Sequence, residues 1–263
     1  GPSILWTKSD VSLKAEVFGD DQHVYIVEGG SDGVPVTTRA LRAQDGVTVR
    51  VPDFAAPYAR RMKILGGRIL IQEDEPSGSR VYRLYDIHTG RDVWRQPFSS
   101  GATVIRSQNP ELTGVVEKDH SITILHVPTG ETLVRSLLQP EHSDRLQSVG
   151  LITDAEHYYL TLVREKESGV DWQPNVGSGL RSLRVNGPTY CLNRATGKIV
   201  WICDFLPYQH VLLEQVQDLP ILIFTSTFIR SSPNGGFERN VTKVTAVDKR
   251  TGKLIYDIEF PNL

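Results

Sequence analysis

The sequence predicts an all-β fold, and three observations lead to that prediction. A hairpin signature centred on a glycine recurs along the chain, and pairs of short apolar runs joined by turns precede its copies. Helical periodicity is nearly absent, since only residues 139–146 offer a turn or two of helix. Repeated short strands at this period favour a β-propeller of four-stranded antiparallel blades over a sandwich. About five blades are visible, and the repeats leave open whether they belong to a larger ring.

The hairpin signature places a polar residue three positions before a Thr-Gly pair and a large or β-branched apolar residue four positions after the glycine. Its four clear copies are Asp86–Trp94, His126–Val134, Asn193–Trp201 and Asp248–Tyr256. A weaker fifth copy has Arg42, Gly46 and Arg50 at these positions. The five glycines Gly46, Gly90, Gly130, Gly197 and Gly252 lie 44, 40, 67 and 55 residues apart. These intervals match a four-stranded blade, with insertions in the later copies.

Each copy predicts a tight reversal between two strands. Glycine tolerates the positive φ that such a turn needs, and the preceding polar side chain can bond the loop amides. Upstream, Met62–Leu65 and Arg68–Ile71 flank Gly66 and Gly67, so a second hairpin is expected before the Thr-Gly hairpin. Each unit therefore reads as strand, turn, strand, loop, strand, Thr-Gly turn and strand.

We expect one β-propeller domain over residues 4–263. Its blades are placed at about 11–54, 59–98, 102–138, 146–206 and 210–260. Residues 1–3 resemble the remnant of a cleaved affinity tag. The segment Ile4–Trp6 resembles the outer strand that follows a Thr-Gly turn, so we expect it to close a ring or to end a blade from an earlier part of a longer protein.

The repeats resemble those of pyrroloquinoline-quinone-type (quinoprotein-like) propellers, in which an Asp-x-x-Thr-Gly-x-x-x-Trp pattern closes each blade. Trp94 and Trp201 keep the tryptophan, and Asp86 and Asp248 keep the acid. Asn193 replaces the acid in the fourth blade, whereas Val134 and Tyr256 replace the tryptophan. The resemblance implies the non-catalytic branch of that superfamily and an extracytoplasmic setting, in the periplasm or cell envelope.

Resemblance to the enzymes of the superfamily would imply a quinone held by vicinal cysteines and a Ca²⁺ ion. Cys191 and Cys203 are not adjacent, and no acidic cluster has calcium-ligand spacing. We therefore expect no cofactor. The two cysteines fit buried small apolar side chains, although a hairpin could bring them face to face.

Composition excludes other classes. Lys and Arg number 29 against 31 Asp and Glu, so a net charge of −2 argues against a nucleic-acid binder. No run of 18 apolar residues is present, which predicts no membrane span. The seven histidines show no ligand spacing along the sequence, so we expect no metal site.

The longest insertions predict the binding surface. They run from about 164 to 188 and from about 230 to 240, and loops on rigid scaffolds commonly carry function. A tryptophan among arginines is typical of binding hot spots. The candidate residues there are Trp172, Arg181, Arg184, Arg230, Phe237 and Arg239.

The acidic triplet Glu73, Asp74 and Glu75 lies in the equivalent loop of the second blade. It is expected either to bind a cation or basic partner, or to be a solvated loop, because ion binding needs ligands from several directions.

Three functions fit these observations. The first is a non-enzymatic scaffold for protein partners, or glycans, within a larger protein. The alternative is a carbohydrate-active hydrolase or lyase, for which Glu16, Asp154 and Glu214 are the carboxylates to compare. The third is a purely structural set of blades with no ligand.

Overall fold

The computed structural model describes residues 4–29, 35–164, 182–204, 209–212, 218–230 and 239–261. Its first eight strands are β1 (Glu16–Gly19), β2 (His23–Gly29), β3 (Pro35–Arg42), β4 (Thr48–Val49), β5 (Arg61–Leu65), β6 (Arg68–Asp74), β7 (Arg80–Asp86) and β8 (Arg91–Phe98). The next eight strands are β9 (Thr103–Ser107), β10 (Leu112–Val116), β11 (Ser121–His126), β12 (Glu131–Leu137), β13 (Leu146–Thr153), β14 (His157–Arg164), β15 (Ser182–Val185) and β16 (Thr189–Asn193). The last five are β17 (Ile199–Cys203), β18 (Gln209–Leu212), β19 (Ile221–Arg230), β20 (Arg239–Asp248) and β21 (Leu254–Pro261).

The strands form four sheets. Strands β1 to β4 and β5 to β8 make two four-stranded antiparallel sheets in chain order. Two further four-stranded units, β9 to β12 and β13, β14, β16 and β17, join edge to edge through parallel pairing of β9 with β13. Strands β18 to β21 form the last antiparallel unit, which β15 extends. The predicted fold class, all-β with four-stranded antiparallel propeller blades, is confirmed.

Two short helices complete the described regular structure. Helix α2 (Pro140–Ser143) lies in the segment where the sequence offered a helical turn. Helix α1 (Ala55–Ala59) was not predicted, because Pro57 stands at its centre and five residues carry no periodicity. Tyr58 and the preceding Phe54 are almost fully buried, so apolar burial holds this short helix in place.

The chain forms two compact units. The first comprises residues 1–102 and 126–131, and the second comprises residues 103–125 and 132–263. In the first unit, aromatic and aliphatic side chains from β2, α1, β6 and β7 share one core that includes Tyr25, Tyr58 and Ile69. In the second unit, one core lies within the eight-stranded sheet and another includes Tyr159, Trp201 and Phe224.

The Thr-Gly turns have the predicted geometry. The amide of each glycine donates to the carbonyl oxygen four residues earlier at 2.8–2.9 Å, and all five glycines have φ between 67° and 72°. The Oδ1 atom of Asp86 accepts from the amide and hydroxyl of Thr89 at 2.9 and 3.1 Å. Asn193 and Asp248 repeat this arrangement. The polar residue therefore fixes the turn, and glycine supplies its left-handed conformation.

Three of the following strands also share a register irregularity. The pairing shifts at Val93 in β8, at Val200 in β17 and at Ile255 in β21, three residues after the turn glycine in each case. These three side chains are 45%, 47% and 57% exposed. The bulge changes the direction in which the side chain of the next residue points, and that residue is Trp94, Trp201 or Tyr256.

Candidate functional site

After two of these bulges, the tryptophan that follows packs against the turn glycine of the next blade. A Cβ added to Gly130 would lie 2.6 Å from the Trp94 ring, and one added to Gly252 would lie 2.6 Å from the Trp201 ring. The Trp94 indole also donates to the carbonyl oxygen of Val127 at 2.6 Å. These glycines are therefore required both by backbone conformation and by the indole that covers them.

The other three turn glycines are covered by other side chains. A Cβ added to Gly197 would lie 3.0 Å from a Val134 methyl group. Gly90 is covered by Pro52 rather than by the predicted Arg50 position, and Gly46 is covered by Trp6. The Trp6 indole donates to the carbonyl oxygen of Ala43 at 2.7 Å, although its segment forms no strand. Trp6 thus resembles the closing residue of a blade, as the sequence indicates.

The last sheet ends in an exposed apolar face. Its edge strand β21 carries Tyr256, Ile258 and Phe260 on one side, and these side chains are 39%, 42% and 45% exposed. We call these three residues the β21 face. At the matching positions of β12, Val134 is 4% exposed and Leu138, which follows that strand, is 1% exposed. The face therefore has the composition of an inter-blade contact but remains open to solvent.

Charged side chains of β21 lie on its other side. Asp257 accepts from the Lys243 ammonium at 2.9 Å and from the Thr245 hydroxyl at 3.0 Å. Because side chains alternate along a strand, this pairing leaves Tyr256 and Ile258 on a face without carboxylates from β21.

The acidic triplet of the second blade lies beside arginines. Glu73 and Asp74 belong to strand β6, not to a loop as predicted, and Glu75 follows the strand. Glu73 accepts from Arg60 and from Arg83 at 2.8 Å. Asp74 and Glu75 pair respectively with two further arginines, Arg80 and Arg95.

This pairing determines what the triplet can bind. Hydrogen bonds from Arg83 and Arg60 lower the pKa of Glu73 to about 2, so its carboxylate stays ionised and engaged. A metal ion would have to displace guanidinium groups from these oxygens. The geometry indicates a salt-bridged surface of the sheet.

Three of the six predicted loop residues lie in strands, and only their backbone is described. Arg184 lies in β15 and pairs in register with His210 of β18. Arg230 and Arg239 are directly paired at the loop end of the β19–β20 hairpin. Trp172, Arg181 and Phe237 lie outside the described residues.

Two of the three carboxylates considered for glycoside hydrolysis, Glu16 and Asp154, have local partners. Glu16 accepts from the Tyr58 hydroxyl at 2.5 Å and from Arg61 at 2.7 Å. Burial opposes ionisation of Asp154, but hydrogen bonds from Tyr159 and from two backbone amides lower its pKa overall. A general acid needs a raised pKa, so Asp154 does not support that role. Glu214 lies outside the described residues.

The cysteines are both free. Cys191 pairs in register with Trp201, and Cys203 pairs with Thr189, which places the two cysteines diagonally across one hairpin. Burial raises the pKa of Cys191 to about 12, and burial also raises that of Cys203. Neither thiol has the depressed pKa of a catalytic nucleophile.

One group of side chains was missed by sequence reasoning. His23 and His88 are 65 positions apart in the sequence, yet their rings lie 4.3 Å apart between centroids. Asp20 joins them, and the three ligand atoms lie within 4.8 Å of one another. His88 lies within a Thr-Gly turn of the sequence, and no spacing along the chain indicates its pairing with His23.

No helix among the described residues is long and apolar enough to cross a membrane. Scans of known protein families and of characterised proteins find no match to this sequence.

Solved structures give distant similarities. BamB from Moraxella catarrhalis is 15% identical with a TM-score of 0.42, over 96% of this chain and 63% of that one. The quinohemoprotein alcohol dehydrogenase ADHIIG from Pseudomonas putida HK5 is 14% identical with a TM-score of 0.39, over 92% and 41%. The computationally designed Ika8 protein is 13% identical with a TM-score of 0.34, over 94% and 89%. The chain thus spans less than two thirds of the first two proteins, and these similarities assign it to no family.

Proposed function

We propose that this chain is a non-enzymatic β-propeller scaffold that binds a protein partner. The observation that carries the proposal is the β21 face, where Tyr256, Ile258 and Phe260 are exposed together on an edge strand. Clustered apolar side chains on a water-exposed surface are typical of protein interaction sites, because burying them in a complex is favourable.

The chemistry of the partner follows from the contacts between blades. There, Trp94 and Trp201 cover a glycine turn and donate to a backbone carbonyl of that turn. Tyr256 offers a smaller aromatic ring with one hydroxyl donor at the equivalent position. A protein surface with a glycine turn among apolar side chains would pack against the Tyr256 ring and accept a hydrogen bond from its hydroxyl. Binding of a nucleic acid would instead need a basic patch on this chain.

The predicted loop residues form a second part of the proposed surface. Trp172, Arg181, Arg184, Arg230, Phe237 and Arg239 stay predictions for binding an acidic protein or a glycan. The extracytoplasmic location stays a prediction as well.

Affinity capture with matched variants tests the proposal. We expect Ile258→Asp to remove at least one partner that the wild-type chain retains, because a charge enters the apolar contact. The control is Val200→Asp, since Val200 is also an exposed apolar residue of an outer strand but lies at a bulge. Deleting residues 164–188 in a third variant separates the loop surface from the β21 face.

Circular dichroism of each variant establishes that it is folded before capture. The proposal fails if Ile258→Asp and Phe260→Asp both retain every partner of the wild-type chain. It also fails if Val200→Asp loses the same partners to the same extent. Loss only on deletion of 164–188 would contradict the role of the β21 face.

A further inference from the structure

The cluster Asp20, His23 and His88 has the composition of a metal site. Two imidazoles and one carboxylate are ligands that Zn²⁺ and related divalent transition metals accept. Ligand atoms about 2.1 Å from a tetrahedral ion lie about 3.4 Å apart, so side-chain rotation must draw together the three ligand atoms, which lie within 4.8 Å of one another. His88 is exposed, which gives an ion access from solvent.

The cluster is held by its surroundings. The Oδ1 atom of Asp20 accepts from the amides of Gln22 and His23 at 2.9 and 2.7 Å. The buried Tyr25 hydroxyl lies 3.2 Å from Asp20 Oδ2 and 2.5 Å from His88 Nε2, so it links the carboxylate to the second imidazole. A Cβ on Gly67 would lie 2.5 Å from this hydroxyl, so the local backbone leaves room for it.

A second copy of this arrangement in the same chain provides an internal comparison. Asp154 accepts from the amides of Glu156 and His157 at 2.9 and 2.8 Å and from the Tyr159 hydroxyl at 2.6 Å. His157 Nδ1 lies 3.6 Å from Asp154 Oδ1, as His23 Nδ1 lies 3.4 Å from Asp20 Oδ1. Both blades therefore build the same Asp-His-Tyr unit after their first strand.

The two Asp-His-Tyr units differ in the side chains that the Thr-Gly turn of the following blade places beside them. Beside Tyr159 stands Lys249, whose ammonium lies 5.9 Å from the tyrosine ring and interacts with the Asp154 charge. The equivalent residue beside the Asp20 unit is Ile87. The Ile87 amide donates to the carbonyl oxygen just before β6, and the Lys249 amide donates to the carbonyl oxygen just before β19. Among the described residues, no lysine or arginine forms an ion pair with Asp20.

We propose that Asp20, His23 and His88 bind a divalent transition-metal ion such as Zn²⁺, which supplies the positive charge that Lys249 supplies in the equivalent unit. Tyr25 positions Asp20 and His88, and solvent completes the coordination. The ion would link the first and second blades, since Asp20 and His23 come from one and His88 from the other. Its role is structural, or it occupies an open site for a further ligand.

Isothermal titration with ZnCl₂ tests the proposal on the complete, tag-free chain after dialysis against a chelator. We expect one equivalent to bind, and binding to weaken by more than about tenfold in His88→Ala and His23→Ala. Substitution with Co²⁺ reports the ligands independently, through a visible absorption spectrum that both variants lose. His88 is exposed, so His88→Ala is expected to fold as the wild type does.

Two further variants separate a built site from incidental binding to a histidine. His157→Ala changes the equivalent unit and is expected to leave Zn²⁺ affinity unchanged. Ile87→Lys keeps every ligand but introduces the ammonium of the equivalent unit, and we expect it to weaken binding by more than about tenfold.

The proposal is overturned if the wild-type chain binds no Zn²⁺, or if His88→Ala binds it as tightly as the wild type. Equal weakening by His157→Ala and His88→Ala would show non-specific binding and would also overturn it. None of these outcomes bears on the β21 face, so the proposed scaffold function is tested separately.

Discussion

Substituting Gly130 with alanine tests how the blades are held together. Gly130 has φ of +72°, and a Cβ there would lie 2.6 Å from the Trp94 ring. An alanine in this left-handed conformation costs about 1–2 kcal/mol. Moving the indole also weakens its hydrogen bond to Val127, which contributes about 1 kcal/mol, and some apolar burial is lost. We therefore expect Gly130→Ala to lower the free energy of unfolding by about 3 kcal/mol.

Gly78 is the matched control. It has φ of +84° but no atom within 4 Å of an added Cβ, so Gly78→Ala carries the backbone cost of about 1–2 kcal/mol alone. Urea denaturation followed by tryptophan fluorescence and circular dichroism measures both variants. A double-mutant cycle with Trp94→Ala then isolates the contact, because Gly130→Ala should cost only the backbone term once the indole is gone. Equal losses for Gly130→Ala and Gly78→Ala, or full additivity with Trp94→Ala, would refute the reasoning.

Three further predictions concern charges, thiols and the internal repeat. Hydrogen bonds from Arg83 and Arg60 hold the pKa of Glu73 at about 2, below its value in the unfolded chain. The ionised Glu73 carboxylate therefore stabilises the folded state above about pH 4.5, and this stabilisation is lost as the pH falls towards 2. Glu73→Gln should therefore destabilise by about 1 kcal/mol at pH 7 and by progressively less under acid, measured by urea titrations across pH. Burial raises the pKa of the Cys191 thiol to about 12. Mass spectrometry after iodoacetamide treatment should therefore find Cys191 unmodified in the native chain and alkylated in urea. Rapid labelling of the native chain would contradict the burial of this thiol. The double substitution K249I/R250H gives the fourth-blade unit the turn residues of the first, and it should raise Zn²⁺ stoichiometry from one to two by titration; an unchanged stoichiometry would contradict the comparison of the two units.

Local patterns explain why the strands and turns could be predicted from the sequence. The polar residue and the glycine of a Thr-Gly turn interact within five positions, so Asp86 and Gly90 indicate their hairpin without other information. The strand pair around Gly66 was predicted for the same reason.

Contacts between distant segments could not be predicted in this way. His23 and His88 meet only because one blade packs on the turn of the next, and Pro52 takes the place expected for Arg50. Glu73 has arginine partners from β7 and from the residue just before β5, so its identity as an acid did not indicate its role. Strand β15 lies within the predicted insertion of the fourth blade but pairs with β18 of the last sheet, which no periodicity in four residues specified.

Site-specific photocrosslinking shows whether the β21 face contacts a protein partner. A photoreactive amino acid is placed at position 258 in one protein and at position 200 in a second, and each is irradiated in the native cell extract. We expect a discrete adduct with one protein from position 258, lost when Phe260→Asp is added, and no such adduct from position 200. Identical adducts from both positions, or none from position 258, would contradict this expectation.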